Sequence, residues 1–230
     1  MPEYTKADIR HTIRENEFKE IVKKTLKPRD RLFLALLFCT GARPSEIAGD
    51  PEHNKKGMTY GDIEFDFEKG AILFHVPVSK IHRGMYAVDK RQLLLEFDPE
   101  DPDYAILVLF QSYNDMYEKQ RYIQKKQDID LEKQLFTFCR KTGYNIVERA
   151  SEIIGVNICP YNFRHSRLTL LSEDGAGIET LMYFKGSRDI KSIANYLHAR
   201  KVKFRLKRKK EAENRGEKQN SKHDPSADRS

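Results

Sequence analysis

The 230-residue sequence contains only three cysteines and has no long apolar segment. Cys39, Cys139 and Cys159 have neither the spacing of metal ligands nor the pattern of a disulfide framework, so we expect buried, reduced thiols. No apolar run is long enough for a membrane-spanning helix, and the first residues lack the charged-then-apolar order of a secretory signal. We therefore expect a cytoplasmic protein without membrane contact. No internal repeat is present.

The net charge of +7 is concentrated at one end of the chain. Residues 200–230 contain twelve Lys or Arg and five Asp or Glu, whereas the rest contains 30 of each. A neutral body can still bind DNA if its basic residues share one face, and a basic tail adds salt-dependent attraction. A tail that only keeps the protein soluble is the alternative. Because apolar residues become rare after Leu206, we expect residues 206–230 to form a basic, disordered tail.

The remaining residues, 1–205, are enough for one compact domain. Helical spacing or a short apolar run predicts helices within 3–26, 31–39, after Pro44, and over 104–127, 144–154, 161–171, 178–184 and from about 189 onward. A period of two in 62–67, 71–78 and 85–88 predicts a three-stranded antiparallel sheet. The predicted fold class is α+β, mainly α.

One predicted helix gathers residues that suit a phosphate. Tyr161, Arg164 and His165 are spaced i, i+3 and i+4, so a phenol, a guanidinium and an imidazole share one helix face. Pro160 fits the first turn of that helix, where its missing N–H is not needed. Taken alone, a tyrosine on an amphipathic helix is more often a core residue.

Further candidates surround this helix in the sequence. Thr40-Gly41-Ala42-Arg43-Pro44-Ser45-Glu46-Ile47 ends a buried helix and directs Arg43 and Glu46 toward one region. Lys80 follows the second predicted strand, where a lysine can reach a ligand outside the sheet. Tyr196 follows Gly186-Ser187 by nine residues, and an exposed tyrosine can act as a nucleophile. In isolation, Arg43 fits a helix cap and Lys80 a solvated lysine.

The order of these motifs resembles the catalytic domain of tyrosine recombinases of the phage integrase family. Thr-Gly-x-Arg-x-x-Glu, Thr59–Ile63 before the sheet, a hairpin lysine, Tyr-x-x-Arg-His, Gly-Ser and Tyr196 follow one another between about residues 5 and 200. The resemblance implies a helical catalytic fold with a small sheet. It also implies site-specific cleavage and rejoining of DNA, an integrase reaction that uses neither metal ion nor ATP nor another cofactor.

The resemblance also implies roles for individual residues. Arg43 and Arg164 are similar to the pair that binds the non-bridging oxygens of the scissile phosphate, for which charge-assisted bidentate bonds suit arginine. Lys80 resembles the lysine that protonates the leaving 5′-oxygen. Tyr196 resembles the nucleophile that forms a 3′-phosphotyrosyl link. Glu46 resembles the acidic residue that helps hold the site.

Two positions differ from the commonest family pattern. Tyr161 stands where most members have His, and Ser187 stands where most have His or Trp. A phenol with an ordinary pKa near ~10 is a poor base at neutral pH, so the general base stays open, with His165 and His198 as nearby candidates. A tyrosine at the first position is similar to some archaeal virus and plasmid integrases, so we expect an archaeal mobile-element enzyme.

The resemblance further implies a double-stranded DNA attachment site, a nucleoid-associated location, a homotetramer on DNA and, as a possible partner, an accessory directionality factor. Because the first motif occurs by residue 40, we expect the family's N-terminal core-binding domain to be absent from this chain. Two other functions fit the same motifs. One is a catalytically silent DNA-binding relative, and the other is a nicking-closing enzyme of the type IB topoisomerase kind.

Overall fold

The computed structural model describes residues 11–78, 90–124, 128–187 and 189–196. The described helices are α1 (Glu15–Lys24), α2 (Pro28–Thr40), α3 (Pro44–Ala48), α4 (Tyr104–Ile123), α5 (Arg140–Ile154), α6 (Pro160–Glu173) and α7 (Ile178–Lys185). Short 3₁₀ turns cover Pro51–His53, Tyr60–Asp62 and Ile190–Ile193. The expected α+β, mainly helical fold is confirmed. None of the helices among these residues is long and apolar enough to cross a membrane.

The strands β1 (Ile63–Asp66), β2 (Ala71–Pro77) and β3 (Lys90–Glu96) form an antiparallel sheet in the order β1-β2-β3. Every second residue of β2 is buried, so one face of the sheet covers the helical core. The third strand expected at 85–88 lies outside the described residues, and the described third strand begins at Lys90. Because Leu93, Leu94 and Leu95 are all apolar, their sequence does not show that pairing with β2 places neighbouring residues on opposite faces of the sheet.

Helix α2 is the centre of the core. It begins with Pro28 in its first turn and ends at Gly41, which takes the left-handed conformation that glycine adopts without strain. From Leu32 to Cys39 the helix is apolar on all sides and buried on all sides, and α2 contacts α3, α4, α5 and α6. The Phe33 ring meets Phe136 and Phe138 edge-on, at centroid distances of 5.7 and 5.2 Å.

Helix α4 buries Tyr113 but leaves Tyr122 80% exposed, because the helix end extends past the core.

Two expectations need correction. Cys39 is buried, whereas Cys139 is exposed at the start of α5 and Cys159 is half-buried, so buried thiols are confirmed only for the residue inside α2. The loop expected at 141–143 is the first turn of α5, because Gly143 packs against the Phe33 ring.

The packing of the Phe33 ring predicts a large loss of stability when the ring is removed. Phe33→Ala should lower the free energy of unfolding by roughly 3–5 kcal/mol, because the cavity removes contacts with two aromatic rings. The matched control is Leu26→Ala, whose side chain is 86% exposed and which should change it by less than about 0.5 kcal/mol. Urea denaturation measures both, and equal losses would contradict the central place of α2 in the core.

Candidate active site

The site is built around the buried carboxylate of Glu46. Three arginines from different parts of the fold approach it: Arg43 before α3, Arg91 on β3 and Arg164 on α6. Their nitrogens lie 2.7, 3.0 and 3.9 Å from Glu46 oxygens, in that order. A buried carboxylate is tolerated only when charges and hydrogen bonds surround it. Glu46 therefore fixes the relative positions of three guanidinium groups.

Local sequence places Arg43 at this carboxylate. The left-handed Gly41 ends α2, and Pro44 opens α3 in the next turn of chain. Arg43 precedes α3 directly, so its backbone N–H donates to Glu46 Oε2 at 2.8 Å and its Nη1 donates to Oε1 at 2.7 Å. The Arg43 side chain is 36% exposed. Arg43 thus contacts the buried carboxylate and also reaches the protein surface.

Arg164 lies deeper, with 6% of the residue exposed. Its Nη1 donates to the carbonyl oxygen of Gly41 at 3.0 Å, which ties α6 to the end of α2. Its Nη2 is buried and has no hydrogen-bond partner among the described residues. A buried donor without an acceptor is costly, so this atom is suited to bind an oxygen of a ligand. The structure thus brings together the two arginines that the resemblance singled out.

Arg91 is a residue that the sequence reasoning missed. It pairs with Val76 across the sheet and is only 5% exposed, and its Nη2 donates to Glu46 Oε2 at 3.0 Å. A Cβ on Gly186, whose φ is +60°, would come within 2.5 Å of Arg91 Nη1, so a side chain there would displace the guanidinium. The alternation with Leu93 was the available signal, because it places Arg91 on the buried face of β3.

The electrostatics follow from this arrangement. Burial alone would raise the pKa of Glu46, but Arg91, the backbone N–H of Arg43, and the charges of Arg164 and Arg43 outweigh it and hold the pKa at about 2. Burial lowers the pKa of Arg164 to about 10, against the attraction of Glu46. Both groups are therefore charged at neutral pH, and the cluster carries a net positive charge.

Tyr196 lies beside this cluster, and it is buried, contrary to the exposed tyrosine that we expected. It is 6% exposed, because Ser172 Oγ on α6 donates to the Tyr196 carbonyl oxygen at 2.5 Å and draws the segment onto the core. The Tyr196 hydroxyl lies 3.0 Å from His165 Nδ1. Burial raises the pKa of Tyr196, the nearby Tyr161 raises it further, and Arg164 lowers it. The hydroxyl is protonated at neutral pH and needs a base to become a nucleophile.

The remaining predicted residues divide into three groups. The ring of Tyr161, which is 44% exposed, stacks on His165 with a centroid distance of 6.4 Å, so both belong to the Tyr196 cluster. Ser187 instead hydrogen bonds within its own loop, to the backbone N–H of Asp189 and to the Ser192 hydroxyl. Lys80 and His198 lie outside the described residues.

The low pKa of Glu46 predicts a specific pH dependence of stability. A depressed pKa in the folded state stabilises the fold above the unfolded value of 4.5, and this contribution is lost as pH falls toward about 2. The difference between the unfolded and folded pKa values corresponds to roughly 3 kcal/mol in the free energy of unfolding. Urea unfolding should therefore show Glu46→Gln to be less stable than wild type by about that amount at pH 7, with the gap closing near pH 2.

The matched control is Glu132→Gln, which removes an exposed carboxylate and should stay within about 0.5 kcal/mol of wild type. A gap between wild type and Glu46→Gln that stays constant from pH 7 to pH 2 would show that the Glu46 charge does not stabilise the fold.

Sequence comparison identifies a relative although no family model matches the chain. The chain is 23% identical over 184 residues to the tyrosine recombinase XerA of Saccharolobus solfataricus. The match covers 80% of this chain and 50% of that protein, so the chain spans about half the length of its curated relative.

Structural comparison agrees with this relationship. The crystal structure of XerA recombinase superposes with a TM-score of 0.55 at 17% identity, covering 82% of this chain and 60% of XerA. The pre-cleavage complex of the XerH site-specific recombinase with its difH substrate gives a TM-score of 0.54 at 15% identity, covering 80% of this chain and 48% of XerH. The resemblance read from the sequence is confirmed: the chain is similar to the tyrosine recombinases and has the fold of their catalytic domain.

Proposed function

We propose that this chain is the catalytic domain of a site-specific DNA recombinase that cuts and rejoins DNA through a phosphotyrosine link. One observation carries the proposal. Glu46 holds Arg43 and Arg164 together, and the same Arg164 lies close enough to Tyr196 to affect the pKa of its hydroxyl. A nucleophilic hydroxyl beside two arginines is the minimum equipment for transfer of a phosphodiester.

The arginines bind and stabilise the phosphate. Arg43 reaches the surface, where a DNA backbone can approach, and Arg164 offers Nη2, which has no acceptor among the described residues. Both guanidiniums are held by Glu46 or by the Gly41 carbonyl before the substrate arrives. Donors that are oriented in advance stabilise the charge that develops in the transition state, and each can contribute several kcal/mol.

The chemical step begins at the Tyr196 hydroxyl. Its oxygen attacks phosphorus while its proton passes to His165 Nδ1, which lies 3.0 Å away. The bond from phosphorus to the 5′-oxygen breaks, the 3′ end stays on the tyrosine, and the 5′-oxygen takes a proton. By resemblance, Lys80 is the donor of that proton. One phosphodiester replaces another, so a 5′-hydroxyl can reverse the step and join a new strand without ATP.

The substrate is a double-stranded attachment site. The structural neighbour XerH is a site-specific recombinase bound to its difH substrate, and the +7 net charge of this chain favours a polyanion. Reciprocal strand exchange requires paired sites, from which the homotetramer on DNA follows, and an accessory factor can bias its direction. The archaeal relative fits an integrase from an archaeal mobile element.

The burial of Tyr196 favours one competing function, a catalytically silent DNA-binding relative. A hydroxyl that is enclosed, with a raised pKa, is a weak nucleophile until the segment around it moves. Such a relative would bind its site without forming a covalent link. The two functions therefore differ in a single product, the protein–DNA adduct.

The Tyr196 assignment predicts a covalent product that depends on one oxygen atom. Wild-type protein, mixed with labelled duplexes taken from the DNA that flanks its own gene, should give an adduct on a denaturing gel in the presence of a chelator. Tyr196→Phe should give none, because only the attacking oxygen is missing. The control Tyr122→Phe changes an exposed tyrosine far along α4 and should react as wild type does.

Adducts from Tyr196→Phe would overturn the choice of nucleophile. Binding without any adduct from wild type, on every duplex tested, would favour the silent relative instead.

The contact between His165 and Tyr196 predicts a rate effect. Loss of a general base typically slows a reaction by about 10²–10⁴-fold, so His165→Gln should slow single-turnover adduct formation by at least about 100-fold. A variant that forms the adduct at the wild-type rate would assign the base to another group.

A further inference from the structure

Lys185 places a further ammonium group next to the candidate nucleophile. It is the last residue of α7 and immediately precedes Gly186. Its Nζ donates to the carbonyl oxygen of Ser192 and lies 5.9 Å from the centre of the Tyr196 ring. None of the sequence motifs pointed to this lysine, because a lysine in the last turn of a helix is common and favourable.

Lys185 is partly buried near two arginines and one aspartate. Its burial, then Arg164 and to a smaller extent Arg43, lower its pKa, while Asp189 opposes them. In the part of the chain that the structure describes, no carboxylate forms an ion pair with Lys185, and Asp189 Oδ1 accepts from the backbone N–H of Lys191 instead. Like charges that are held near one another repel, and a bound anion reverses that repulsion.

In the loop that follows α7, Ser187 contributes no positive charge. Its hydroxyl interacts with the Ser192 hydroxyl at 3.0 Å. The carbonyl oxygen of the same Ser192 accepts from Lys185. Ser187 therefore shapes the loop, and Lys185, two residues earlier, supplies a cation at this end of the site.

We propose that Lys185 is a third cation of the phosphate site, and that its Nζ contacts a non-bridging oxygen of the phosphate held by Arg43 and Arg164. The proposal rests on the function proposed above. A phosphorus in line for attack lies about 3–3.5 Å from the nucleophilic oxygen, and the flexible lysine arm ends beside that tyrosine ring. An ammonium is a compact point charge, so it needs no fixed bidentate geometry.

A purely structural role makes different predictions. If Lys185 only caps α7 and binds the Ser192 carbonyl, its removal should lower stability and leave phosphate binding unchanged. If it contacts the phosphate, an anion should change the environment of Lys185 itself, and the charge should matter more than the carbonyl contact.

The direct test is a nuclear magnetic resonance titration of the whole chain with ¹³Cε-labelled lysine. Lys185→Arg and Lys191→Arg assign the two signals, and the probe is inorganic phosphate compared with sodium chloride at equal ionic strength. Phosphate should shift the Lys185 signal saturably and raise its pKa. The exposed Lys191 should respond equally to both salts. Equal responses of Lys185 to phosphate and chloride would overturn the proposal.

A kinetic test uses the duplex that gives an adduct with wild-type protein. Lys185→Met should slow single-turnover adduct formation by about 100-fold, as expected for loss of one donor to the transition state. Lys185→Arg should recover most of that loss, because it keeps the charge. The matched control Lys191→Met removes an exposed charge from the same segment and should react as wild type does. Equal rates for the two Met variants would count against the proposal.

The two tests separate the two proposals. If wild-type protein forms no adduct on any duplex but phosphate still shifts Lys185, the recombinase function fails and the phosphate contact stands. If adducts form, phosphate leaves Lys185 unshifted and Lys185→Met reacts at the wild-type rate, then the function stands and the role of Lys185 is wrong.

Discussion

The ion pairs of Glu46 are the constraint on which the rest of the site depends. A carboxylate that is 1% exposed cannot stay charged in a protein interior without several cationic or hydrogen-bonding partners. Here those partners come from three elements that are distant in sequence: the turn after α2, strand β3 and helix α6. Satisfying one buried charge therefore fixes the sheet against the helices, and it leaves an excess of positive charge where a phosphate can bind.

Helix α6 carries the other half of the arrangement. Its buried side, which includes Phe163 and Leu168, packs into the core. Asn162 accepts from the backbone N–H of Cys159 and donates to the carbonyl of His11, and Ser166 Oγ accepts from the backbone N–H of Ile13. The helix is thereby fixed at its start and along its side. Functional groups on a rigid element are held more precisely than groups on a loop, which suits the placement of Arg164 and His165.

Local patterns in the sequence were enough to predict several elements. The apolar run of α2, the glycine that ends it and the proline that opens α6 each act within a few residues, so they could be read directly. The i, i+3, i+4 spacing likewise placed Arg164 and His165 together once the helix was assigned.

Long-range contacts decided what the sequence could not show. The ion pair between Arg91 and Glu46, which is 45 residues earlier, accounts for a buried charge on β3 that no local pattern explains. Tyr196 is buried because the Ser172 hydroxyl on α6 donates to its carbonyl oxygen and holds its segment against the core. Lys185 gains its importance only from the folded positions of Arg43 and Arg164. Each of these three features depends on a residue that is distant in sequence, which a local pattern cannot identify.

The most direct test of the central claim identifies the atom to which DNA becomes attached. The protein is incubated with a duplex that traps the cleaved intermediate, and the adduct is digested with nuclease and protease and sequenced by mass spectrometry. The account predicts a nucleotide 3′-phosphate on the peptide that contains Tyr196. The same mass on another residue, or cut DNA without any modified peptide, would contradict it.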